Sequence, residues 1–114
     1  MRVVGKYLTV ALLAVTPARA QAIFETGNDL FAKCSAPNSY MRIYCMAYVE
    51  GVADALSDDT IAGRRVCIPP DHTVTPAQLQ DIAVRYLNGH FETRRRVASN
   101  LVAQALHDAF PCPP

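Results

Sequence analysis

What this 114-residue sequence lacks most plainly is a long apolar run. A membrane-crossing helix needs roughly 20 consecutive apolar residues. The longest stretch here, Tyr7 to Val15, is about half that length. Cysteines at metal-binding spacing are also missing. Cys34, Cys45, Cys67 and Cys112 stand 11, 22 and 45 positions apart, whereas a zinc site asks for close pairs such as C-x-x-C. The sequence contains no G-x-S-x-G, no phosphate-binding loop and no H-E-x-x-H. No strand-like alternation, internal repeat or low-complexity segment is visible. These absences argue against an integral membrane protein, a zinc protein and the common hydrolases.

The N-terminus carries a different signal. Arg2 and Lys6 precede the apolar run, and Thr16-Pro17-Ala18-Arg19-Ala20 follows it. That order predicts a cleaved secretory signal over residues 1–20, with a mature domain at 21–114. No cysteine follows the cleavage position to carry a lipid, so the expected location is outside the cytoplasm, in a bacterium the periplasm. Removing the signal leaves eight Lys and Arg against ten Asp and Glu, a balance of −2 rather than the whole-chain +1. A mildly acidic chain is a poor general nucleic-acid binder, because bulk phosphate attraction needs cations. A mature domain this short builds only a small core and calls for staples. Four cysteines in an oxidising compartment therefore predict two disulfides.

Helix signals fill the mature chain. Thr26-Gly27-Asn28-Asp29 has the shape of a capping box, and a short helix runs from it to about Cys34 before Pro37-Asn38 turns the chain. Asn38 or Ser39 caps a second helix from about Tyr40 to Ser57. Met41, Cys45, Tyr48, Val52, Ala55 and Leu56 form its apolar stripe. Gly51, in mid-helix, costs up to about 1 kcal/mol against alanine, which predicts a neighbouring helix crossing closely there. Thr75-Pro76-Ala77-Gln78 opens a third helix. Leu79, Ile82, Ala83, Tyr86 and Leu87 lie on one face, Asp81 and Arg85 are spaced as a surface pair, and Asn88-Gly89 ends it. A fourth helix is expected from about Thr93 to Ala109. The predicted fold is all-α, a four-helix domain stapled by two disulfides.

Spacing separates the three conceivable cysteine pairings. Short loops make consecutive helices antiparallel, so Cys34, ending helix one, lies near Cys45 in helix two. Helix three begins just after Cys67 and helix four ends just before Cys112, which brings those two together. A Cys45–Cys67 bridge would require the loop to retrace most of helix two, about 18 Å. The favoured pairing is Cys34–Cys45 with Cys67–Cys112.

Reaction chemistry is not apparent. His72, His90 and His107 are read as surface histidines in a loop, a turn and an outer helix face. Asp54, Asp58 and Asp59 are read as a solvated acidic end of helix two. No catalytic, cofactor or metal residue is assigned. One cluster resists the bland account: Arg94, Arg95 and Arg96 are placed in the first turn of helix four, where the helix dipole prefers anions. With Arg85 they form the candidate partner-binding patch, one that would steer docking of an acidic surface more than it would set affinity.

Taken together, FETGNDLFAKC, CMAYVEGVADA, VCIPP, TPAQLQDIAVRYL and ALHDAFPCP resemble the type VI secretion amidase-immunity proteins, the Rap/Tai group. The resemblance covers essentially the whole mature chain. It implies a small, helical, disulfide-bonded periplasmic protein, often a homodimer, that binds a cell-wall amidase toxin and blocks its active site without cofactor or catalysis. The alternative function is a small periplasmic helical chaperone of the acid-stress kind, although two disulfides oppose the wide opening such a role needs. An enzyme using Asp54 or His107 is the third hypothesis.

Overall fold

Thr26 starts the first helix by the reciprocal arrangement its sequence announces. Its hydroxyl accepts from the Asp29 N–H at 3.2 Å, and the Asp29 carboxylate accepts from the Thr26 N–H at 3.0 Å, so two otherwise orphaned donors are satisfied. The computed structural model describes residues 5, 9–14 and 24–114. Most of the expected signal segment, 1–20, lies outside the described residues. Among the described residues four helices follow one another: α1 (Gly27–Cys34), α2 (Ser39–Asp58), α3 (Pro76–Gly89) and α4 (Ala98–Ala109), with a single 3-10 turn, Phe91–Thr93, before the last. Asn38 caps α2 through the Tyr40 N–H at 2.8 Å. Thr75 and Gln78 close the second capping box, with Pro76 in the first turn of α3.

All six helix pairs touch, so the apolar stripes converge on one interior. Leu30, Cys45, Val49, Ala83, Leu87, Val102 and Leu106 are essentially sealed from water at its centre. Each large side chain buried there contributes about 1.5–3 kcal/mol of transfer free energy. Phe31, Tyr48, Ile82, Tyr86 and Phe110 pack around the rim. Both disulfides form as the spacing argument favours: Cys34–Cys45 ties α1 to α2, and Cys67–Cys112 ties the α2–α3 loop to the segment after α4.

Three local expectations fail, each for a physical reason. The buried stripe of α2 is turned from the expected one. Val49 and Ala53 are inside and Ala55 is outside, because α1, α3 and α4 all press on one side of the helix. No helix crosses at Gly51, where a side chain would meet nothing within 4 Å. The close approach is at Gly27, whose missing Cβ would lie 2.7 Å from the Arg94 carbonyl oxygen and against Leu101 Cδ1. Finally, α4 begins at Ala98 rather than near Thr93. The residues before it are used otherwise: Thr26 and Val97 form an isolated antiparallel bridge, and Gly27, Asn28 and Ala98 donate across it to Arg96, Arg94 and Glu25 carbonyls at 2.7–3.1 Å.

Candidate partner-binding surfaces

The arginine segment is divided between structure and surface. Arg94 is part of the fabric. Its guanidinium lies 4.2 Å from the centroid of Phe31 and 5.4 Å from that of Phe91, close enough for cation–π attraction on both. Its Nε is buried without a hydrogen-bond partner among the described residues. Arg95 and Arg96 stand exposed on the turn before α4. They therefore precede the helix instead of opposing its dipole from the first turn. Arg85, exposed on α3, lines a cleft of about 300 Å3 with Asp81, Gln78 and Phe110. None of the three consecutive arginines lines that cleft. Asp81 and Arg85 do not close an ion pair. The one such pair among the described residues joins Lys33 to the buried Glu25, both carboxylate oxygens at 2.8 Å.

A second surface element was not singled out by sequence. Between α2 and α3, Ile61 and Arg64 exchange backbone hydrogen bonds at 3.3 and 3.0 Å around a two-residue tip, Ala62–Gly63. Both tip residues are left-handed, φ 50° and 75°, as a tight two-residue reversal demands. The tip is exposed, but its base is tied down from several directions. The Arg64 guanidinium donates to the Ala62 carbonyl at 2.9 Å and to the Gln104 side chain. His107 Nδ1 donates to the Arg65 carbonyl at 2.7 Å. The Cys67 N–H donates to the Phe110 carbonyl at 3.0 Å beside the Cys67–Cys112 bridge. The signal available in advance was only Ala-Gly followed by a cysteine that must reach the C-terminus.

A third surface is the outer face of α2. Tyr40, Ile43 and Tyr44 are 72, 58 and 41% exposed. Ala47, Gly51 and Ala55 continue the same exposed stripe towards Asp54 and Asp58. Lys33 Nζ sits 4.3 Å over the Tyr44 ring and Arg42 reaches back to the Ala36 and Pro37 carbonyls.

Only His72 is exposed as the sequence reading has it; His90 and His107 are half-buried. His90 stacks on Tyr86 with centroids 3.8 Å apart, and its Nδ1 donates to the Tyr86 carbonyl at 2.7 Å. Burial pushes the Tyr86 and Tyr48 phenols up, the Tyr48 rise being opposed by a hydrogen bond with Ser99. Lys33 is held above its usual range, first by its hydrogen bond with Glu25. Among the described residues, no three His, Cys, Asp or Glu side chains converge as metal ligands. No helix among them is long and apolar enough to cross a membrane. What the described surface presents is a set of exposed, anchored turns and an exposed apolar face of α2. Among known proteins, the sequence profile of the Rap1a immunity proteins matches residues 26–112. No curated protein matches the chain.

Proposed function

The chain belongs to the Rap1a immunity protein family, and we propose that it binds and inhibits a peptidoglycan amidase effector of a type VI secretion system, acting in the periplasm and without catalysis of its own. The observation that carries the reading is the family match from residue 26 to residue 112, a span that includes every helix of the described residues and all four cysteines. The amidase target follows from the resemblance of the quoted segments. Export is supported by residues 1–20 and by two disulfides, which persist in oxidising compartments; the acting domain is then 21–114.

An inhibitor needs a surface that holds its shape on binding, since every group ordered at the interface costs affinity. The bridge-anchored loop supports that reading, and the exposed Arg95 and Arg96 would add cationic steering. Arg85 offers a separate cation at the α3 cleft, whereas Arg94 is stacked against Phe31 and Phe91. Reversing two exposed cations, Arg95→Glu with Arg96→Glu, is expected to slow effector association about tenfold at low salt and much less at high salt, as steering charges do. Stopped-flow binding checks it.

The test is protection of living cells. A strain whose periplasm receives the amidase should survive when it makes the full-length chain. It should lyse when it makes the chain without residues 1–20. Lysis despite abundant, oxidised, periplasmic protein would overturn the reading.

A further inference from the structure

Among the described arginines, Arg64 and Arg94 are half-buried, and the fold treats them differently. Arg64 donates to the Ala62 carbonyl and to the Gln104 side chain. The Arg94 guanidinium meets no hydrogen-bond acceptor among the described residues, and no carboxylate there stands within ion-pair reach of it. Buried donors are normally satisfied, so a cation held in this way calls for an acceptor from outside. Two aromatic rings keep it in place, Phe31 at 4.2 Å and Phe91 at 5.4 Å from the guanidinium carbon. Nε is enclosed, which leaves the outer pair of nitrogens as the open end. That pair is a planar fork, and its natural complement is a carboxylate bound through two parallel hydrogen bonds. With the side chain already stacked, less ordering remains to be done on binding. Phe91 is itself 72% exposed, a ring for a partner to cover, and arginine beside an aromatic ring is the usual make-up of an interface hot spot. Residues 94–96 set three cations against one neighbouring acid, Glu92, which selects an anionic partner.

We propose that Arg94 and Phe91 anchor the amidase effector. One aspartate or glutamate side chain of the effector closes a two-pronged ion pair on the outer nitrogens of Arg94, and the surface around that acid covers the Phe91 ring. The proposal rests on the effector reading and adds a point of attachment and its chemistry. Arg95 and Arg96 act earlier: exposed and hydrated, they draw the effector in, whereas Arg94 holds it once docked. Exposed charges alter association and a desolvated ion pair alters dissociation, so the two roles are separable.

The test measures association and dissociation rates of the amidase effector with the oxidised 21–114 chain. Arg94→Lys keeps a charge near the rings and removes the fork. It is expected to raise dissociation at least about tenfold while association changes by less than about twofold. Phe91→Ala, at an exposed site, should act in the same direction. The acceptor is then found by replacing the effector's surface acids with amides, one at a time. One such change should raise dissociation from the parent and have no further effect on Arg94→Lys. An Arg94→Lys chain that folds like the parent and dissociates at the parent's rate overturns the proposal, as does the lack of any effector acid coupled to Arg94. If Arg94→Lys does not fold, the parent decides. Rotation of its Arg94 guanidinium, followed by nitrogen NMR, should slow at least about tenfold when the effector binds, and unchanged rotation overturns the proposal. A parent that inhibits the amidase while these tests fail keeps the functional reading; a parent that never binds the amidase ends both.

Discussion

Two glycines show what single residues do here. At Gly27 a methyl group has no room, being caught between the Arg94 backbone and Leu101. Gly27→Ala is expected to cost about 2–3 kcal/mol, the usual penalty of overpacking. At Gly51 the same change meets open space and should stabilise the folded monomer by about 0.5–1 kcal/mol. Urea unfolding of the two variants at high dilution reads the opposite signs directly. The sequence pointed to the wrong one of the pair: helical context marks a glycine as costly, but only tertiary packing says which glycine is needed. Glu25 gives a second case. It is 7% exposed, and among the described residues its charge is answered by Lys33 alone. Lys33→Met leaves that carboxylate buried and unpaired, and should cost about 2–3 kcal/mol, moderated by the partial exposure of Lys33 itself. Chemical denaturation near neutral pH checks it.

Among the elements, those whose beginnings are written locally were legible. The capping boxes at Thr26 and Thr75, the Asn38 cap and the cysteine pairing all follow from residues a few positions apart or from the antiparallel run of short-looped helices. The start of α4 was not legible. Its periodicity continues back towards Thr93, yet residues 94–98 are taken up by the bridge to the chain ahead of α1, a contact some 70 positions away in sequence. The same long-range pairing turned Arg94 from a presumed surface charge into a stacked, structural one, and left Arg95, Arg96 and Arg85 as the exposed candidates. The tip at Ala62–Gly63 escaped notice because Ala-Gly is a weak turn signal by itself, and the α4 side chains that hold its base lie about 40 positions away in sequence. The α1 cap also sets a pH response. Hydrogen bonds from the Thr26 hydroxyl and N–H hold the Asp29 carboxyl below its ordinary range. A depressed carboxylate contributes stability that is complete above its unfolded value of about 4 and is lost as the pH falls through the lower folded value. Acid unfolding should therefore begin below about pH 4, and Asp29→Asn should flatten that limb without moving the neutral plateau's slope. Circular dichroism against pH reads it.

For the whole molecule, the small interior and the two bridges divide the task of holding a fixed shape. Loop-closure entropy assigns about 3 kcal/mol to Cys34–Cys45 and about 4 kcal/mol to Cys67–Cys112, whose loop is the longer. These are large beside the total stability of a small domain, about 5–15 kcal/mol. Cys67→Ser with Cys112→Ser should thus lower the melting temperature more than Cys34→Ser with Cys45→Ser, and differential scanning calorimetry ranks them. The longer bridge also fixes the base of the exposed loop, so its loss should weaken effector binding beyond its effect on folding. The most direct measurement titrates the oxidised 21–114 chain into the proposed amidase effector while peptidoglycan cleavage is followed. Cleavage is expected to fall in proportion to added protein and stop near equimolar, and to return when both bridges are reduced. Cleavage that continues undiminished in a molar excess of the oxidised chain would contradict the account.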